Sequence, residues 1–424
     1  MPHPWIIAAL AATLPAALTL AQPQYTVDPI EAPDGFALYP SAINNHGVVV
    51  GWWYGSPVTN RQPFIYSQSS GYTLLPKPAG HQFSVPMDIN DAGVIVGFAA
   101  PSWEAYDPQG WRLESGAGGF TMFPMQTHAV GVNESGLIAG MACKDAFDGS
   151  MDCVFLSTQP PAMQTIPAAG GFGGSMDRGI VINDLGQSAY RTGPTTAVFR
   201  DAGGATTPLP PPPAGWTGIV VDGINNNGQV IAHWTRSSGL TGSIRRYSRG
   251  FVWTAAGGAQ EFGITAGSVR PQGINDHGQV IIESGTHDQA FFDCWVWSAA
   301  TGPLNLDNKT DYGDNLVLTD LYAINNAGQI VAGGDTISPN GDIYLVLNPT
   351  GPVTPPCPAD LGSAGGVAGG DGALDNNDFV VFIDFFFAGN AAADRGGQGG
   401  AAGPDGAFDN NDFVVFIDEF FGGC

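Results

Sequence analysis

Positive charge is scarce in this chain. Lys and Arg total 14 of 424 residues against 38 Asp and Glu, for a formal net charge of -24. Nothing here could neutralise a row of phosphates, which excludes nucleic acid and anionic membrane surfaces as partners. Charged residues of either sign make only 12% of the chain, whereas Gly and Pro number 61 and 33. That balance argues against long helices and for many tight turns. Also missing are a nucleophile elbow, an HExxH pair, a P-loop and a dinucleotide fingerprint after a strand. The nearest His–carboxylate neighbour is the single pair His287-Asp288. Groups drawn from distant segments would leave no local trace. Glu104, Asp107, Glu114 and Asp222 lie near loops, with nothing to rank them. The catalytic set is therefore empty, and a non-enzymatic protein is expected.

Long apolar runs are absent after the first 21 residues, so no later helix is suited to span a bilayer. Trp5 to Leu20 is apolar and broken by Pro15, and Thr19-Leu20-Ala21 is a small-x-small cleavage site. Residues 1–21 thus read as a signal peptide, although no Lys or Arg precedes the run. Export to the extracellular space or cell surface follows, and five cysteines suit an oxidising compartment. Cys143 and Cys153 bracket KDAFDGSMD and are expected to pair. Cys357 and Cys424 bracket the C-terminal segment, where a bridge would stabilise by about 4 kcal/mol. Cys294, in the apolar stretch FFDCWVW, reads as a buried thiol.

One motif recurs seven times: AINNHGVVVG at Ala42, DINDAGVIVG at Asp88, GVNESGLIAG at Gly131, VINDLGQSAY at Val181, GINNNGQVIA at Gly223, GINDHGQVII at Gly273 and AINNAGQIVA at Ala323. A period of about 40–50 residues signals repeated small sheets. Asn opens a type I turn by bonding back to the backbone, and Gly three residues later accepts the positive φ that follows. Apolar arms flank the turn, giving a largely buried β-hairpin. A third apolar run follows each hairpin, such as FIY at Phe64 or CWVW at Cys294, and usually a fourth short strand. The seventh unit lacks its fourth strand. Gln24 to Asp28 (QYTVD) is the candidate to complete it, closing a ring and removing both open edges. The expected fold is all-β, a seven-bladed β-propeller over residues 22–347. An open β-solenoid or a pair of β-sandwiches would leave the missing strand unexplained.

The IN-x-x-G-x-V-V-G pattern followed by an aromatic strand resembles the HAF family of extracellular bacterial repeats. The resemblance covers most of residues 40–347; the fourth copy departs, with SAY in place of its second apolar arm. It implies export and architecture rather than a chemistry. Histidines at the third turn position (His46, His277) alternate with Ala, Ser, Leu and Asn, as an exposed tip tolerates. Trp111, Trp253, Trp295 and Trp297 fall in third strands and should pack within blades. Trp52, Trp53, Trp103 and Trp234 could instead line a face that stacks sugar rings, which makes a glycan a possible ligand. Pro208-Leu209-Pro210-Pro211-Pro212-Pro213 reads as a short spacer between blades.

After a Pro-rich linker, 348–356, two copies of an acidic unit follow at a 34-residue offset, in residues 357–424. The segment holds eleven acidic residues and one basic, so a cation is needed to hold it together. DGALDNNDF fits the second half of an EF-hand-type calcium loop: Asp371, the Ala373 carbonyl, Asp375 and Asp378, repeated as Asp405, Ala407, Asp409 and Asp412. Oxygen-only ligands select calcium. The first half departs from that loop. Asp360 and Asp394 would return as first ligands only if the Gly-rich stretch loops out. The alternative use of these acids is to cap the helix that follows. Doubled loop-helix units ending in Gly-Cys resemble bacterial dockerins, which implies a small α/loop calcium module and a cohesin-like or cell-surface scaffold partner. The recurring Phe379, Phe382, Phe386 and Phe413, Phe416, Phe420 would serve either that partner or mutual helix packing. The expected function is a secreted binding or structural protein anchored through this module. The alternative is a carbohydrate-active hydrolase or lyase carried as cargo.

Overall fold

Each Asn-to-Gly corner forms as its residues dictate. The seven glycines take φ between 69° and 78°, and each donates its N–H to the carbonyl of the corner Asn, as Gly47 does to Asn44 at 3.0 Å. The computed structural model describes residues 25–31, 37–54, 61–102, 107–114, 119–143, 151–158, 160–167, 179–238, 245–285, 293–306, 309–310, 316–336, 341–350, 359, 361–363, 367–368, 374, 376–390, 393–397, 401–402 and 406–422.

The arms of each corner are the first two strands of an antiparallel four-stranded sheet, and among the described residues there are seven such sheets. Blades 1 to 6 follow chain order, over residues 38–74, 83–125, 127–167, 180–208, 218–261 and 268–305. Blade 7 is made from residues 316–349 and takes its fourth strand from the other end of the chain. Tyr25–Pro29 pairs with Gly341–Pro349, Tyr25 opposite Pro349 and Pro29 opposite Leu345. The protein is a seven-bladed β-propeller, closed by the strand expected from the count. Tyr66 of blade 1 donates its hydroxyl to Asp28 at 2.9 Å, tying the closing strand to the next blade.

Apolar side chains fill the seams between blades. Trp52, Phe83, Phe98, Met141 and Tyr190 belong to one buried cluster running through blades 1 to 4. Gly97 has to be small: a Cβ there would sit 2.1 Å from the Val85 carbonyl and 2.6 Å from the Trp111 ring. The third strand of blade 7 runs to Pro349, two residues beyond the expected boundary. The proposed signal peptide, Gln24 and residues 351–358 lie outside the described residues.

Two 13-residue helices follow, α1 (Asn376–Ala388) and α2 (Asn410–Gly422). Each is longer than the apolar-rich run of nine it contains, FVVFIDFFF or FVVFIDEFF, because the Asn-Asn-Asp before it is helical too. Phe382 and Phe416, equivalent in the two copies, are buried and stacked at 4.0 Å with 7° between planes. Mutual packing is thus the use these two rings are put to, while Phe387 and Phe421 are each 79% exposed.

Candidate functional site

The propeller axis is built by the corner asparagines. Each side-chain Nδ2 donates to the backbone carbonyl of the corner Asn in the next blade: Asn44 to Asn90, Asn90 to Asn133, Asn133 to Asn183, Asn183 to Asn225, Asn225 to Asn275, Asn275 to Asn325, and Asn325 back to Asn44, all at 2.9–3.0 Å. Each Oδ1 meanwhile accepts the N–H four residues on, as from Val48 and Gln229. Asp could fill only the second role.

A second ring lies beside the first and was not anticipated. The second corner residue of each blade gives its N–H to the side-chain oxygen of its counterpart in the next, through Asn45, Asp91, Glu134, Asp184, Asn226, Asp276 and Asn326, at 2.7–2.9 Å. All seven are Asn, Asp or Glu, a signal present in the sequence. Burial raises the Glu134 carboxyl above its ordinary range; the N–H of Asp91 opposes this, while the charges of Asp91, Asp184 and Asp88 add to it.

These rings line one end of an axial channel, a space of about 150 Å³. Ile43, Ile182, Ile224, Ile274 and Ile324 form a collar shared with a second chamber of about 180 Å³ beyond it. The residue three before each corner Asn is bulged out of register in six blades, for example Asp222 between Val221 and Gly223. A bulge re-aims a side chain, and here it puts Val130, Asp222, Gln272 and Tyr322 on the chamber wall, with Ile180 at the equivalent place in blade 4.

Blades 5 to 7 make that wall polar. Asp222 Oδ2 lies 2.7 Å from His233 Nδ1. Gln272 donates to Glu283 Oε2 at 2.6 Å, and Leu321 N–H donates to Glu283 Oε1 at 2.9 Å. Asp88 lines the chamber from blade 2 and accepts the Val132 N–H at 2.9 Å. Burial pushes the Tyr322 phenol far up, helped by Asp320, so it stays a neutral donor.

Glu283 is 6% exposed, and burial pushes its carboxyl up to about 7 from 4.5, against the N–H of Leu321. The fold therefore favours the protonated acid. Its contribution is fully present below the unfolded value and is lost as pH rises through the folded one. Glu283→Gln cannot ionise, and should gain about 2–4 kcal/mol on the native chain between about pH 4 and about pH 8. Urea unfolding at both ends of that window reads it, and parallel pH profiles would refute it.

The aromatic face expected to stack sugars is not assembled. Trp52 and Trp234 are 2% and 6% exposed. Trp52 stacks on Tyr39 at 4.2 Å, with the Arg61 guanidinium 4.2 Å from its ring centre. Trp234 packs on Phe251 and donates Nε1 to the Pro210 carbonyl. Second strands are covered on both faces by neighbouring blades, which leaves no face for a ligand. Trp53 is half-buried, and Trp103 lies outside the described residues. Trp111, Trp253 and Trp297 are buried within blades as expected.

In the C-terminal segment, Asp360, Asp371, Ala373, Asp375, Asp405, Cys357 and Cys424 lie outside the described residues. Asp409 and Asp412 cap α2: Asp409 Oδ1 accepts from Asn411 N–H at 2.7 Å, and Asp412 Oδ2 from Asp409 N–H at 2.8 Å. Asp412 Oδ1 also accepts from Arg395 and Gly396. Burial of Asp412 works against its charge, yet these donors hold its carboxyl below the ordinary range. Asp378 accepts the Leu361 N–H in the first copy. Asp394 Oδ2 accepts from Gly406 N–H at 2.9 Å, twelve residues away, across a short hairpin formed by Gly396–Gly397 and Ala401–Ala402. Ala407 follows on that turn and is exposed. Among the described residues no three His, Cys, Asp or Glu converge as a metal group. Cys143 and Cys153 lie diagonally across paired strands, opposite Met151 and Ala142. Cys294 is buried.

No family model matches the sequence, and no curated protein matches it. Solved structures are similar to it in fold alone. The β-propeller domain of the Trilobed protease from Pyrococcus furiosus is 10% identical over 76% of this chain and 100% of that one, with a TM-score of 0.46. An oligogalacturonate lyase in complex with manganese is 9% identical over 78% and 99%, at 0.42. TolB from Acinetobacter baumannii is 9% identical over 75% and 80%, at 0.35.

Proposed function

We propose that the chain is an exported binding or structural protein, displayed through a calcium-dependent, dockerin-like C-terminal module that docks on a cohesin-like or cell-surface scaffold. The supporting observation is the Asp394–Gly406 hydrogen bond. The paired Gly396–Gly397 and Ala401–Ala402 bring Asp394 back to Gly406, the residue that follows Asp405 in sequence. An EF-hand-type loop needs that juxtaposition of first and fifth ligands. Asp360, Asp371, Ala373, Asp375 and Asp378 would hold one ion, and Asp394, Asp405, Ala407, Asp409 and Asp412 the other. Ten net negative charges in 68 residues repel one another until cations bind. The exposed Phe387 and Phe421 give a partner a symmetric pair of apolar contacts. Bridges Cys143–Cys153 and Cys357–Cys424 belong to the same reading, as does cleavage after residue 21.

Calcium at about 10 mM, against a dissociation constant of about 0.1–1 mM, should stabilise each loop by about 1.4–2.7 kcal/mol. Calorimetry of the full chain with calcium and with EDTA measures this as a shift of one transition. Asp394→Ala together with Asp405→Ala should remove half of it. An indifferent melting curve, or a shift that magnesium reproduces equally, would overturn the calcium reading. Thiol titration of the unreduced chain tests the bridges; five reactive thiols would exclude both.

A second reading, a hydrolase or lyase acting on carbohydrate, has one observation in its favour. Asp222 orients the His233 imidazole beside a chamber, an arrangement suited to a general base. Turnover of a polysaccharide panel, abolished by His233→Ala, would put this reading ahead.

A further inference from the structure

Sevenfold repetition supplies a control within the molecule. In blade 3 the chamber wall has Val130 backed by Met141, and in blade 2 the equivalent two places hold Met87 and Phe98, so both blades pack there with apolar side chains alone. The same two places hold Asp222 and His233 in blade 5, and Gln272 and Glu283 in blade 6. Closing the ring therefore does not require polar groups in this layer. Holding them there has a cost, since each must be desolvated. Part of the set has a structural use, because Glu283 joins blade 6 to Leu321 of blade 7. The Asp222–His233 pair has none of that kind. Both residues sit in one blade, and among the described residues neither bonds to a neighbouring blade. Local rules broken without a structural return mark functional positions.

We propose that the chamber binds one neutral hydroxylated ring, of the size of a monosaccharide or the end unit of a glycan. At about 180 Å³ the space is larger than a cavity of about 150 Å³ that holds benzene and smaller than drug-sized pockets of about 300 Å³ and more. One arc carries a carboxylate, an amide and a phenol, which together accept and donate hydrogen bonds. The facing arc is aliphatic, from Val130 and Ile180. A pyranose has this same division, with hydroxyls at its rim and C–H groups on its faces. Charge sets the selectivity. Asp222 and Asp88 line the space and no Lys or Arg does, so an anionic sugar is repelled. The inference does not rest on the C-terminal module, and binding without turnover satisfies it.

Saturation-transfer NMR on the full chain, with glucose, galactose, xylose and galacturonate as separate probes, tests it. At least one neutral sugar should receive saturation, and galacturonate should not. Tyr322→Phe and Asp222→Asn, both near-isosteric, should each weaken binding about tenfold, the loss of one good hydrogen bond. His46→Ala, at an exposed corner, should leave binding unchanged. A methyl glycoside that binds better than its free sugar would identify a glycan end as the ligand, and the reverse a free monosaccharide. The proposal is overturned if no neutral sugar receives saturation, or if galacturonate binds as well as galactose. It is overturned equally if folded Tyr322→Phe and Asp222→Asn bind as the native chain does.

Discussion

Asn225→Asp should destabilise the propeller by about 3–5 kcal/mol, although the substitution changes one NH2 to one oxygen. Asn225 is 2% exposed. Its Nδ2 donates to the Asn275 carbonyl at 3.0 Å and to Gln229 Oε1 at 2.7 Å, while Oδ1 accepts from the N–H of Asn227 and Gln229. Aspartate keeps the acceptor side and so preserves the corner. On the donor side it sets a carboxylate oxygen against two acceptors, in a buried residue. Either the charge stays and is unpaired, or the group protonates at the expense of stability at neutral pH. The loss should accordingly shrink as pH falls through the raised carboxyl value, which a simple loss of packing would not do. His46→Ala, at an exposed corner, should stay within about 0.5 kcal/mol. Chemical unfolding of the three proteins at two pH values decides the matter. If Asn225→Asp matches the native chain, the amide ring is incidental to stability.

The same residues show how far the sequence could be read. The corner motif carries its own mechanics, so its turn, its glycine and its apolar arms were legible one copy at a time. Counting strands then placed the closing strand at Gln24 to Asp28, against the observed Tyr25–Pro29, because an unpaired edge is costly wherever it lies. The rings were harder. A single corner accounts for Oδ1 of Asn225 and for one Nδ2 hydrogen, given to Gln229, but the second Nδ2 hydrogen finds its partner only when blade 6 stands beside blade 5. The second corner residue was legible in principle, being an acceptor in all seven copies. The variable third residue, His46 in one copy and Leu185 in another, drew the reading toward an exposed tip. The polar arc was hidden for a different reason. Strand alternation assigns side chains to faces by parity, and the bulge at Asp222, Gln272 and Tyr322 shifts that parity by one. Trp52 and Trp234 were misplaced by the same local view, which could not see that both faces of a second strand are covered.

Removal of the closing strand should have the widest effect of any change to the chain, through two separable routes. Tyr25 is 2% exposed and packs with Leu306, Leu316, Leu345 and Leu347; burial raises its phenol to about 12. Tyr25→Ala should cost about 3–5 kcal/mol as a cavity. Deleting residues up to Ile30 removes that side chain and Ile30 as well, yet it also releases six residues from order at about 1–2 kcal/mol each. The deletion's stability loss is therefore offset, and ring closure passes to Asn325–Asn44, Asn326–Asn45 and the cluster of Val331 and Val346 with Ile43 and Val49. What the deletion uniquely creates is an open edge along Gly341–Pro349, a row of unpaired donors and acceptors on an apolar strand. It should self-associate at concentrations where Tyr25→Ala stays monomeric, a difference that light scattering reads directly. Moving Tyr25–Ile30 to follow Pro349 by circular permutation should restore a monomer, since the strand then enters the same sheet from a new connection. A deletion variant that remains monomeric with an unshifted melting midpoint would mean that the amide rings and the blade seam close the propeller by themselves.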